Sequence, residues 1–276
     1  MNKIIKTLAV TGGVLFAAKG LDNRIEVTEY KIKSPKIGRG FNGFRIVQIS
    51  DYHCDTIPGI TEEIKTLKPD IIVSTGDLVH DHGSYMPAVR LMERLVRIAP
   101  VYSITGNHDV WRDDYRDFER ELDKIGVVTL HDESVLLHQG DDEIRLTGID
   151  DPFSMDKDNI IEHIEGSVAK IPGYDGYTIL LFHRANHMDA LKHHGFDLIL
   201  AGHMHGGQFR LPWGPGVCAP RSSWGSNSKA LFPKYFAGLH ESHGTKMIVN
   251  RGLGNPMVIP RLFNRPEITV IELATD

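Results

Sequence analysis

A chain of 276 residues with 41% hydrophobic and 24% charged content has enough apolar surface for one large globular domain, or at most two, and falls outside the disordered class. The formal net charge of −5, with no block of lysine or arginine, excludes the broad basic footprint of a nucleic-acid surface, so no nucleic-acid partner is expected. Two cysteines far apart, Cys54 and Cys218, lack metal-finger spacing and predict free thiols rather than a disulfide framework.

Lys3 and Lys6 precede an uncharged, mostly apolar run, Leu8 to Ala18, that ends at Lys19. This is the layout of a secretory signal or short signal-anchor, so residues 1–21 read as a leader and 22–276 as the body of the protein. The run is shorter than the ~20 residues of a comfortable spanning helix, and Ala18-Lys19-Gly20 is a poor cleavage site, which leaves cleaved and uncleaved forms open. Positive charge ahead of the run favours an orientation with the body outside. The expectation is a chain held at the cell membrane through its N-terminal segment with an extracytoplasmic body, or an exported one if the leader is cut.

Arg24 to Lys33 alternates as an edge strand does, and a turn-rich link spans Ser34-Pro35 and Gly38 to Gly43. From Phe44 the pattern becomes strand, loop, helix: strands at Phe44–Ile49, Ile71–Ser74 and Val101–Ile104, with helices near Ile60–Leu67 and Tyr85–Ile98. A helix near Asp114–Ile125 precedes Val127-Val128, then Ser134–His138 and Glu143–Gly148 form a hairpin about Gly140-Asp141-Asp142. A helix over Asp158–Lys170, a buried strand at Thr178–Phe182, a helix at Asn186–His194 and a strand at Asp197–Ala201 follow. The last third is β-rich, with strands at Lys234–Leu239, Lys246–Asn250 and Glu267–Leu273. Strands in both halves with helices between them predict an α/β fold, a four-layer α-β-β-α sandwich of two mixed sheets flanked by helices.

Five segments close apolar, β-like runs with residues that bind metal: Asp51-Tyr52-His53, Gly76-Asp77, Gly106-Asn107-His108-Asp109, His183, and Gly202-His203-Met204-His205. Closing a strand brings each to one edge of a sheet. A two-metal site needs anionic oxygen for charge balance, imidazoles to tune affinity and one carboxylate able to bridge; Asp77 is the natural bridge. Asp51 with His53, and His203 with His205, sit two apart and on extended strand ends would point the same way. Asn107 offers a neutral oxygen that does not repel an incoming phosphate. The glycines before the ligands permit the close backbone approach a crowded site demands.

In this order the five segments resemble the calcineurin-like metallophosphoesterase family over roughly Phe44 to His205. The stretches Asn42–Asp51 and Ala201–Gln208 more narrowly resemble its bacterial membrane-anchored or exported branch, which includes members similar to UDP-2,3-diacylglucosamine pyrophosphohydrolases. The resemblance implies that Asp51, His53, Asp77 and His205 hold one divalent ion and Asp77, Asn107, His183 and His203 a second. It implies a metal-bridging hydroxide as nucleophile, with His108 serving the leaving oxygen and Asp109 fixing the orientation of His108. Manganese is the first choice of metal, with iron or zinc as alternatives.

The implied activity is hydrolysis of phosphodiester, phosphomonoester or pyrophosphate bonds in a small-molecule or lipid-linked substrate. The rivals are a diacylglucosamine-type pyrophosphohydrolase and a metal-binding module without turnover. Arg210, in the glycine-rich stretch after His205, is a candidate phosphate partner and Trp213 a stacking platform, against the alternative of a structural hairpin with a solvated arginine. Arg184 reads as a brace for a ligand loop. Family members often carry Asp or Asn where His80 stands; His80 and His82 read as solvated loop histidines, with surface-ion binding as the alternative. The sequence leaves the oligomeric state open.

Overall fold

The computed structural model describes residues 11, 16, 18–153, 157–212, 214–221, 230–256 and 260–276. Most of the expected leader, and Trp213, lie outside the described residues. The chain order is β1 (Glu26–Lys33), β2 (Arg45–Ile49), α1 (Ile60–Thr66), β3 (Ile71–Ser74), α2 (Met86–Leu95), β4 (Val101–Ser103), α3 (Asn107–Val110), α4 (Tyr115–Lys124) and β5 (Val128–Thr129). It continues with β6 (Glu133–Gln139), β7 (Asp142–Ile149), α5 (Lys157–Lys170), β8 (Thr178–Arg184), α6 (Met188–Leu191), β9 (Leu198–Gly202), β10 (Gly238–Ser242), β11 (Thr245–Val249) and β12 (Glu267–Ala274).

Among the described residues these strands form two six-stranded sheets, β1-β12-β2-β3-β4-β5 and β10-β11-β9-β8-β7-β6. Both are mixed. In the first, β2 to β5 run parallel and β12 pairs antiparallel to β2; in the second, β7, β8, β9 and β11 run parallel between two antiparallel edges.

The period-two alternation of the strands builds the layers. Ile46, Val73, Ile179, Leu181, Leu198, Leu200 and Ile248 face into one buried cluster that joins the two sheets. Their neighbours Val47, Ile49 and Ile72 face outward onto α1, α2 and α4, and Leu180, Phe182 and Ile199 onto α5 and α6. On α2, Ala88, Leu91, Met92 and Leu95 make the buried stripe, and on α4 Phe118 and Leu122 do, each of the leucine, methionine and phenylalanine side chains contributing about 1.5–3 kcal/mol. The four-layer sandwich expected from the sequence is the fold of this chain.

Some boundaries differ. The strand expected over Lys234–Leu239 begins only at Gly238, because the backbone bends through Lys234 to Ala237 and offers no extended run before it. The helix expected over Asn186–His194 is a 3-10 turn, Ala185–His187, followed by the short α6.

The expectation of a membrane-held chain is corrected: no helix among the described residues is long and apolar enough to cross a membrane. The physical reason is length: the uncharged run Leu8 to Ala18 is shorter than the ~20 residues that a spanning helix needs.

The sheets meet where their parallel strands end. Gln48 Nε2 donates to Thr75 Oγ1 (3.0 Å) after β3 and to the Ala201 carbonyl (2.9 Å) on β9, so the C-terminal edges of the two sheets are tied together through a buried amide. The segments carrying the candidate ligands leave from these edges.

Candidate metal centre

The chain curls as it leaves each strand. Asp51 and His53 (both φ 50), Asp77 (φ 54), His203 (φ 72) and His205 (φ 46) are left-handed. This corrects the expectation that Asp51 with His53, and His203 with His205, project from extended strand ends. A left-handed non-glycine residue costs on the order of 1–3 kcal/mol and persists where surrounding bonds over-determine it. They do so here: Asp51 N–H donates to Gly76 O (2.9 Å), His53 N–H to Asp77 O (3.1 Å) and Gly254 N–H to Asp51 O (2.7 Å). Gly76 (φ +91) leaves no room for a side chain, since a Cβ would lie 2.7 Å from Gly106 N and 2.8 Å from His183 Nδ1. At Gly202 a Cβ would overlap the Ser50 hydroxyl and the Asp51 carboxylate.

The curls bring two sets of donors together. Asp51, His53, Asp77 and His205 each offer an atom within 4.8 Å of the others, and Asp77, His183 and His203 form a second such set. Asp77 is common to both, and all are buried. Asp77 Oδ2 lies 3.2 Å from His183 Nε2 and 3.7 Å from His53 Nε2, while Oδ1 accepts from the His108 backbone N–H (2.8 Å). Asp51 Oδ1 lies 3.4 Å from His205 Nε2, and both Asp51 oxygens face the His203 N–H (3.2 and 3.1 Å).

His183 donates Nδ1–H to the Thr75 carbonyl (2.7 Å), which fixes its tautomer and leaves Nε2 free to ligate. Asn107 is fully buried at the start of α3, and neither its amide oxygen nor its amide nitrogen has a hydrogen-bond partner among the described residues. Leaving both bare is costly unless the oxygen has another partner, and a cation is the partner a neutral oxygen beside this donor set fits. Mixed imidazole and carboxylate donors, one carboxylate common to both sets, and an orphaned amide oxygen fit a pair of divalent ions.

Burial dominates the electrostatics. It pulls His53 down to about 3 and holds His203 and His205 well below the usual imidazole range, so these rings are neutral, the form that ligates. Burial would also lower His183 and raise Asp77, but their mutual attraction wins, pushing His183 up and holding Asp77 well down. Asp51 and Asp109 go up, through burial and the nearby Asp77 charge, against His183 for Asp51 and against backbone N–H bonds for Asp109.

Asp109 does not orient His108 as expected. Its Oδ2 accepts from Asp77 N–H and Gly106 N–H (both 2.8 Å) and its Oδ1 from Val79 N–H (3.1 Å), so it clamps the Asp77 loop instead. Consecutive residues on a helical turn point about 100° apart, which turns the two side chains away from each other. The His108 ring sits at the rim, 5.0 Å from the His53 ring, 5.2 Å from that of His80 and 5.3 Å from that of Trp111.

Arg184 is fully buried and pairs bidentately with Asp151 (Nε to Oδ2 and Nη2 to Oδ1, both 2.7 Å), bracing the segment that carries His183. Sequence reasoning missed the support from the last sixty residues. Buried Arg261 reaches to 3.4 Å from His205 Nδ1 and donates to the Arg251 carbonyl (2.8 Å), and Asn264 Nδ2 donates to the His205 carbonyl (2.7 Å). Burial pulls Arg261 down to about 10 while the Asp51 charge opposes it. A signal was present for the carbonyls of Arg251 and Gly254 that hold Arg261, though not for Arg261 or Asn264: Asn250-Arg251-Gly252-Leu253-Gly254 closes an apolar strand with glycines, as the ligand segments do.

Arg210 is not among the clustered donors. It pairs with Gly216 in an isolated antiparallel bridge, lies over the Phe236 ring at 5.7 Å, and lines a cavity of about 970 Å³ with Lys19, Arg24, Glu26, Arg251 and Arg265. Cys54 and Cys218 are free thiols.

The family model described as Calcineurin-like phosphoesterase matches residues 44–207, more than half of the chain, from the start of β2 through the turn after His205. The chain belongs to the calcineurin-like phosphoesterase family. This phosphoesterase is 30% identical to the uncharacterized metallophosphoesterase YkuE of Bacillus subtilis (strain 168), over 96% of this chain and 91% of that one. It is 27% identical to the phosphodiesterase YaeI of Escherichia coli (strain K12), over 75% and 71%. With the UDP-2,3-diacylglucosamine pyrophosphatase LpxG of Chlamydia muridarum (strain MoPn / Nigg) it shares 23% identity over 90% and 89%. Among solved structures, phosphopantetheinyl hydrolase of Mycobacterium tuberculosis superposes with a TM-score of 0.51 at 12% identity, covering 78% of this chain and 91% of that one, which shows the fold alone. The chain is a metal-dependent phosphoric ester hydrolase by family, with a cluster of metal-binding side chains where its sheets meet.

Proposed function

We propose that this phosphoesterase cleaves phosphodiester or pyrophosphate bonds of a small molecule with two divalent ions, manganese first and iron or zinc as alternatives. Asp51, His53, Asp77 and His205 hold one ion; Asp77, Asn107, His183 and His203 hold the other. The observation that carries the reading is Asp77 Oδ2, one buried oxygen 3.7 Å from His53 Nε2 and 3.2 Å from His183 Nε2 and so common to both donor sets.

When bound, such ions acidify water and neutralise charge on the phosphoryl oxygens. The chain's own residues do the rest. Thr75 O holds the His183 tautomer, the His108 backbone N–H holds Asp77 Oδ1, and Asp109 keeps the Asp77 loop in register. The His108 imidazole, partly exposed at the rim, hydrogen-bonds to the leaving oxygen and hands it a proton.

The bond types follow the names of the relatives, a phosphodiesterase in YaeI and a pyrophosphatase in LpxG. A lipid-linked pyrophosphate is the second reading, favoured by similarity to LpxG along 90% of this chain. A panel of mono-, di- and pyrophosphate substrates, run on chelator-stripped protein with and without Mn2+, Fe2+ or Zn2+, tests both. Hydrolysis that returns with metal and is strongest on diester or pyrophosphate is the expected result. Full turnover without metal would overturn the proposal, and two bound ions with no hydrolysis across the panel would favour the non-catalytic module.

A further inference from the structure

Beyond Asp77 the chain forms a loop whose three consecutive residues His80, Asp81 and His82 offer donor atoms within 4.8 Å of one another. Both imidazoles turn to the same oxygen: His80 Nδ1 lies 3.0 Å and His82 Nδ1 2.7 Å from Asp81 Oδ1, with the two ring centroids 4.6 Å apart. His108 Nδ1 stands 3.9 Å from that same oxygen. Consecutive loop residues have no periodicity that aims them at one point, so something must hold the backbone.

Arg112 does. Its guanidinium is buried and donates from Nη1 to the His80 carbonyl (2.5 Å) and from Nη2 to the Gly83 carbonyl (2.9 Å), gripping the loop on both sides of Asp81 and His82. Asp114 holds the guanidinium in turn, at 2.7 Å from Nε and 2.9 Å from Nη2. Donors bonded tetrahedrally at about 2.0–2.1 Å from an ion stand about 3.3–3.5 Å apart, so His80 and His82 need to open from the Asp81 oxygen by about 0.3–0.8 Å and His108 to close on it by about half an ångström. Exposed side chains on a clamped backbone make that adjustment by small χ rotations.

We propose that His80, Asp81 and His82 form a third transition-metal site on the rim of the binuclear centre, with His108 as the fourth donor within reach. Two or three imidazoles and one carboxylate select zinc over manganese, whose preference is for oxygen donors. An ion held there engages His108 and withdraws it from substrate, so zinc in excess of the binuclear centre inhibits hydrolysis. The inhibition rests on the role given to His108 under the proposed function; the site itself does not.

The test is Zn2+ binding to the full chain across a buffered range of free zinc, with bound metal per chain measured by elemental analysis on wild type, His82→Ala and Asp81→Asn. Wild type should take up a further equivalent after the tighter ones, and both variants should lose that equivalent alone. Failure of wild type to bind it, or its persistence in both variants, overturns the proposal. Its presence without the two tighter equivalents would sustain this site and count against the binuclear reading. In parallel, turnover with Mn2+ should fall in wild type as the further zinc equivalent binds and hold in His82→Ala; equal inhibition of both proteins would overturn the inhibitory role.

Discussion

The binuclear cluster and the rim cluster use the same donors, imidazole and carboxylate, under opposite conditions. At the centre every clustered side chain is buried, and backbone groups from other elements fix three of them: the His108 and His203 amides hold Asp77 and Asp51, and the Thr75 carbonyl holds His183. At the rim His82 is 79% exposed and Asp81 45%, and both imidazoles turn to the Asp81 carboxylate while Arg112 fixes the backbone beneath them. The contrast teaches that aim and charge state come from different sources. Burial neutralises three of the central imidazoles, and the attraction of Asp77 overrides it at His183, whereas the rim donors owe their convergence to loop geometry.

The largest effect should come from breaking the buried side of that comparison. His203→Ala removes a donor that nothing nearby replaces, and activity should fall by about 10³-fold or more together with bound metal, measured by turnover and elemental analysis on one preparation. Asp151→Ala leaves Arg184 charged and unpaired in the core, and stability should drop by about 3–5 kcal/mol in a urea titration. A loss under 1 kcal/mol would mean that water reaches Arg184. His108→Ala, at the boundary between the two regions, should lower turnover by about 10²–10³-fold while leaving metal content intact. Loss of metal in that variant would instead make His108 a ligand.

The smallest effect sharpens the comparison with a histidine remote from both clusters. His131 sits between Asp150 (Nδ1 to Oδ2, 2.9 Å) and Glu119 (Nε2 to Oε1, 2.7 Å), and the Asp150 bond raises it to about 9 against partial burial. A histidine raised in the folded state adds stability that is whole below the unfolded value of about 6.5 and disappears as pH climbs through 9. At 40% exposure the contribution is screened to under about 1 kcal/mol. His131→Gln should therefore be less stable than wild type at pH 6 and equal to it above pH 9; parallel stability curves would contradict this.

Much of the candidate centre was legible in the sequence because each candidate ligand segment follows an apolar strand and the parallel strands of both sheets end at one edge. Strand ends are local features, and so are the glycines that clear space beside Gly106 and Ser50. What was not legible depends on partners distant in sequence. The left-handed turns at Asp51, His53, Asp77, His203 and His205 are held by carbonyls and amides as remote as Gly76 and Gly254. Asp109 was assigned to its sequence neighbour His108, and only the folded loop reveals that its carboxylate faces the Asp77, Val79 and Gly106 amides. Arg261 and Asn264 reach His205 from a segment without regular secondary structure, where neither period nor motif marks them. The convergence of His80 and His82 on Asp81 depends on Arg112, some thirty residues onward, so solvated loop histidines were the natural reading of the sequence alone.

The claim on which the rest depends is that Asp77 joins two metal sites. Asp77→Ala protein, shown folded by circular dichroism, washed with chelator and reloaded with Mn2+, should retain at most one ion per chain and lose turnover on every substrate that wild type cleaves. Two ions per chain with turnover equal to wild type would contradict it.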